Sequence, residues 1–83
     1  MTRTERATVG GYRVERGRLA TDMWFLVDPE TGRYPGVLFP LVDGRWKGLP
    51  PSGPWIERDI GDAPNPHLAM ARQLVKAAKK VQP

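Results

Sequence analysis

The chain has 83 residues, is 40% hydrophobic, and contains no cysteine and one histidine, which fits a single small domain with room for a modest packed core. Without cysteine there is neither a disulfide nor a thiolate metal site, and His67 alone cannot build an imidazole cluster, so packing and self-association are the supports left. The net charge of +4 is unevenly spread: all nine acids lie within residues 1–62 beside nine of the thirteen bases, whereas residues 63–83 carry Arg72, Lys76, Lys79 and Lys80 and no acid.

Residues 1–8 are polar and charged and are expected to form a disordered arm, leaving residues 9–83 as one α+β domain. No apolar run follows Met1, so no signal peptide is expected. The longest apolar stretch, Val37 to Val42, contains Pro40 and falls far short of the roughly 20 residues that cross a bilayer. The expectation is a soluble, cytoplasmic protein. Arg outnumbers Lys nine to four, and Ala, Gly, Pro and Val are common, a composition typical of a GC-rich genome such as that of an actinobacterium or its phage.

Thr8 to Glu15 reads as a first strand. Arg16-Gly17 reads as a two-residue turn that brings Glu15 opposite Arg18, and Arg18 to Val27 reads as a second strand. Within it Met23, Phe25 and Val27 share one side, and Trp24 and Leu26 the other. If a helix covers the first row, Trp24 points elsewhere, to stack on a base, insert in a partner or lie under the proline loop. Asp28-Pro29-Glu30-Thr31-Gly32 is a turn, since Asp caps local backbone, Pro presets φ and Gly takes a left-handed conformation. Gly36 to Val42 is a third strand with Pro40 at an edge or bulge, and Asp43-Gly44 turns the chain into Arg45-Trp46-Lys47. Residues 48–54 form a proline-rich loop, and Trp55 to Ile60 return as a last short strand.

Asn65-Pro66 then opens a helix to about Val81, with Asn as cap and Pro in the first turn, where its missing N–H costs nothing. At about 100° per residue, Leu68, Met70, Ala71, Leu74, Val75, Ala77, Ala78 and Val81 fill one half of this helix, and Arg72, Lys76, Lys79 and Lys80 a narrower arc opposite. The fold expected is therefore an antiparallel sheet of three to five strands, a hairpin meander, with one C-terminal amphipathic helix packed on one face. The apolar half of the helix is rich in Ala and lacks aromatic residues, which suits packing on a sheet better than insertion into a membrane surface.

No enzymatic constellation stands out. Ser52, the sole serine, lies in the proline loop, His67 falls in the first turn of the helix, and Asp28 and Asp43 hold turn positions favoured for backbone reasons. No glycine run that cradles phosphate follows a strand, and no cofactor or metal is expected. The cationic flank favours anionic partners. Arg13, Arg16 and Arg18 of the first hairpin make a second basic group, since Arg bonds bidentately to phosphate and to guanine edges.

Gly11-Tyr12-Arg13 with Arg16 on one strand, Trp24 on the next, Asp28-Pro29 at a turn, and an Ala-rich helix (Ala69, Ala71, Ala77, Ala78) after Ile56 to Ile60 together resemble small DNA-binding domains with a three-stranded sheet and a C-terminal helix. These are the plant ethylene-response-factor type and the arm-binding domains of tyrosine recombinases. The resemblance covers residues 10–32 and 55–79 but not the longer, proline-rich segment between them. It implies that the sheet enters the major groove with Arg13, Arg16 and Trp24 towards the DNA, while the helix backs the sheet.

The expected function is thus a small basic, non-enzymatic nucleic-acid-binding protein with Arg13, Arg16, Arg18, Trp24, Arg72, Lys76, Lys79 and Lys80 as contact residues. The alternative is a module that binds another protein, such as a host factor, through its surplus of aromatic residues. A homodimer is a further candidate partner.

Overall fold

The computed structural model describes the backbone of residues 7–81 and the side chains of residues 7–78. Among the described residues six strands form one antiparallel sheet in chain order: β1 (Ala7–Val9), β2 (Tyr12–Arg16), β3 (Trp24–Val27), β4 (Gly36–Pro40), β5 (Arg45–Leu49) and β6 (Ile56–Asp59). Helix α1 (Pro66–Val81) follows and packs across one side of the sheet. The class is the α+β meander with a C-terminal helix read from the sequence, but the sheet has six strands rather than three to five.

The additional strand comes from the segment read as one strand from Thr8. Gly10 and Gly11 both have positive φ, 57° and 88°, and make a two-residue turn that pairs Val9 with Tyr12. Such turns need left-handed backbone at both positions, which glycine adopts without steric cost. Strand β1 consequently begins at Ala7, so Ala7 and Thr8 belong to the sheet rather than to the expected arm, and residues 1–6 of that arm lie outside the described residues.

The next connection is also longer than expected. Arg16 still belongs to β2, opposite Trp24, and residues 17–23 form the loop. Gly17 N–H donates to the Met23 carbonyl at 2.7 Å, and Arg16 Nε donates to the Thr21 carbonyl at 2.5 Å. Glu15 therefore faces Phe25 rather than Arg18, and Arg18 is off the sheet.

Between β3 and β4, Asp28 Oδ1 accepts from Glu30 N–H at 2.9 Å, and Gly32, at φ 76°, donates to the Asp28 carbonyl at 2.8 Å. Strand β4 ends at Pro40, whose ring cannot donate to a ladder, and Val42–Gly44 make a short 3-10 turn in which Asp43 has φ 64°. Asp is among the few non-glycine residues that take this conformation readily. At the start of α1 the Asn65 carbonyl accepts from Leu68 and Ala69 N–H, each at 3.0 Å.

Strand pairing sorts every strand side chain to one of two sides, because successive residues alternate. Val14, Leu26, Leu38 and Trp46 point towards α1 and form the core with Met70, Ala71 and Leu74. Leu26, Leu38, Met70 and Leu74 are completely buried, and burial of side chains of this size stabilises by about 1.5–3 kcal/mol each. Gly48 sits in the same layer, where a Cβ would lie 2.8 Å from Leu74 Cδ2 and 3.0 Å from the Val37 carbonyl oxygen. The absence of a side chain there lets the helix settle onto β5. The covered row is thus that of Trp24 and Leu26, and the Phe25 and Val27 row lies on the open side.

Candidate nucleic-acid interface

The side of the sheet that carries α1 is hereafter the helix side. Arg16 belongs to it because it pairs with Trp24, and Arg58 because it pairs with Trp46. The other helix-side strand positions are Ala7, Val9, Tyr12, Val14, Trp24, Leu26, Gly36, Leu38, Pro40, Trp46, Gly48 and Ile56, so none is acidic. Helix α1 contains no acid either. All three strand acids, Glu15, Glu57 and Asp59, fall on the open side with Arg13, Arg45 and Lys47. Among strand and helix residues, charge is therefore segregated not only along the chain but between the two sides of the sheet.

The pairing of these charges follows the same division. On the open side Arg13 Nε bonds Glu15 Oε2 at 2.8 Å, while Arg45 reaches Asp43 Oδ1 at 3.2 Å and Glu57 Oε1 at 3.0 Å. The hydrogen bond that Arg45 donates to Asp43, followed by the negative charges of Asp43 and Glu57, holds the Arg45 guanidinium above its ordinary pKa. Such exposed pairs contribute only about 0–1 kcal/mol each to stability, but they cancel the charge an anionic partner would meet.

On the helix side, Arg58 Nε donates to Gln73 Oε1 at 3.2 Å and its Nη1 to the Glu57 carbonyl at 2.7 Å. Both acceptors are neutral, and Arg58 makes no ion pair among the described residues. Arg72 and Lys76, one helical turn apart and both exposed, make no ion pair among the described residues. Arg16 lies over the Trp24 ring, 5.3 Å from guanidinium carbon to centroid. Trp24 also stacks on His67 at 5.0 Å and meets Trp46 at 5.5 Å. It is half-buried under the start of α1 and braces the helix instead of standing open on a bare sheet.

The eight contact residues expected from the sequence thus divide. Arg16, Trp24, Arg72 and Lys76 share the helix side. Arg13 faces the other way, paired with Glu15, and Arg18 is exposed in the loop between β2 and β3. Lys79 and Lys80 continue the helix, with side chains outside the described residues. Arg13, Arg16 and Trp24, which the resemblance implies act together, do not share one side of the sheet. Arg58 went unread: in the run Glu57-Arg58-Asp59 it looks like one of three alternating charges. The available signal was its two-residue spacing from Ile56 on a strand ending just before a cationic helix.

Among the described residues no three His, Asp or Glu side chains are grouped as a metal ion would require, and no helix is long and apolar enough to cross a membrane. Compared with protein-family models, curated proteins and solved structures, the chain matches none.

Proposed function

We propose that this protein is a non-enzymatic nucleic-acid-binding protein that meets the phosphate backbone with its helix side. The single observation behind this reading is the sorting of charge by side: among the described residues every acid on a strand faces away from α1, while Arg58, Arg72 and Lys76 lie on the side of α1 and make no ion pair. Regularly spaced cations free of local acids suit a polyanion, whose condensed counterions are released on contact. Arg16 extends the cationic surface towards the start of the helix. Asp62 lies just before α1, at the end of the helix where the dipole favours negative charge, so phosphate contacts are assigned to the middle and C-terminal turns.

These contacts are to phosphate, not to base edges, so the reading is of binding with little sequence preference. A gel-shift series with a short duplex, from low to high salt, tests it. Binding should be strong at low salt and weaken steeply as salt rises. No shift at low salt would refute it.

A further inference from the structure

The open side of the sheet has a different character. Phe25, Val37 and Leu49 lie in register across β3, β4 and β5, and Phe39 and Lys47 form the neighbouring row with Glu57. Two loop aromatics border this surface: Tyr34, 67% exposed, packs against Phe25 at 5.4 Å, and Trp55, 47% exposed, packs edge-on against Phe39 at 6.0 Å. No helix or strand among the described residues crosses it, but its strand residues are partly sheltered: Val27 is buried, and Phe25, Val37, Phe39 and Leu49 are half-buried. A sheet with one side buried under a helix and a second, half-buried apolar side that no helix or strand covers is an incomplete layer arrangement.

We propose that a second copy of this chain covers that surface, sheet against sheet, in a two-fold dimer. Charge selects this occupant. The open side carries Arg13, Arg45 and Lys47 against Glu15, Glu57 and Asp59, so it is neutral on a chain of net +4. Two copies meet there without the repulsion that their helix sides would impose. Two of the six charges make no ion pair among the described residues: Lys47, which lies over the Trp55 ring at 5.4 Å, and Asp59, whose charge acts on Arg45 opposite it in register. A two-fold axis makes such an interface self-complementary, so that Lys47 of each copy meets Asp59 of the other.

Six strands about 4.8 Å apart and roughly 16 Å long offer a flat projection of about 400 Å² per copy, before the flanking loops are added. Two such surfaces approach the roughly 1,000 Å² at which specific interfaces begin. The dimer is therefore concentration-dependent, not obligate. In it the two helices occupy opposite outer surfaces, both with their cations outward.

Sedimentation velocity of the full chain without nucleic acid, from low micromolar to near-millimolar concentration, tests this independently of the proposed binding function. The mass should rise from 9.3 kDa towards twice that value. Val37→Glu should hold it at the monomer, with circular dichroism confirming an unchanged fold. Lys47→Glu and Asp59→Lys should each weaken association at least tenfold, and the double exchange should restore it. A mass that stays monomeric at the highest concentration would overturn the proposal. So would self-association that persists unchanged in folded Val37→Glu, or single exchanges that leave it unaltered.

Discussion

At the scale of single residues, the fold depends on a few positions where no other side chain fits. Leu74 is completely buried against Gly48. Leu74→Ala removes apolar contact and leaves a cavity, for an expected cost of about 2–5 kcal/mol. A domain of this size loses about 4–8 °C of melting temperature per kcal/mol, so a thermal melt should show a drop of at least about 8 °C. The complementary change, Gly48→Val, pushes side-chain atoms into Leu74 and the Val37 carbonyl, and overpacking of this kind costs about 1–3 kcal/mol. A Gly48→Val melt indistinguishable from the parent would mean that the helix does not rest on β5 as described.

At the scale of elements, the β1–β2 turn provides a controlled comparison. Gly10 and Gly11 both have positive φ, but a Cβ on Gly10 would lie 2.5 Å from Val75 Cγ1, whereas one on Gly11 meets nothing within 4 Å. Each Ala substitution carries the left-handed penalty of about 1–2 kcal/mol. Gly10→Ala adds a clash with the helix, so urea denaturation should rank it below Gly11→Ala. Equal midpoints would deny the contact between this turn and α1.

The same turn shows where the sequence was hard to read. Helix α1 was legible because its signals are local: Asn65-Pro66 at the start and a 3.6-residue apolar repeat ending at Val81. The β1–β2 hairpin was hidden because each arm is short and a straight strand also accommodates an alternating pattern, with Gly-Gly the one cue to the reversal. The Arg16-Gly17 dipeptide misled in the opposite direction. It has the chemistry of a tight turn, but the packing of Trp24 under α1 extends β2 through Arg16 and leaves a seven-residue loop. Which row of β3 the helix covers, and with it the side on which each arginine emerges, is settled by tertiary packing. Arg58 therefore became part of the candidate surface only once the sheet was assembled.

At the scale of the whole molecule, the two broad sides differ in character, one cationic and one neutral and apolar. Binding of the helix side to phosphate and pairing of the open side are then independent in mutational terms. If both hold, a dimer with cations on opposite surfaces joins two nucleic-acid segments. Duplex fixed to beads should then capture free labelled duplex in the presence of the parent protein, and Val37→Glu should lower that capture while still binding a single duplex. Equal capture by both proteins would contradict this layer order.

The central claim is that the helix side, and not the sheet as a whole, meets phosphate. The most direct measurement is the salt dependence of binding to a labelled duplex, read by fluorescence anisotropy, for the parent, for an Arg58→Gln, Arg72→Gln, Lys76→Gln triple variant, and for an Arg13→Gln, Arg45→Gln, Lys47→Gln triple variant of the open side. Each lost phosphate contact lowers the slope of log affinity against log salt by about 1. The slope should fall by about 3 in the helix-side variant and stay unchanged in the open-side variant. The reverse pattern, or equal loss in both, would contradict the central claim.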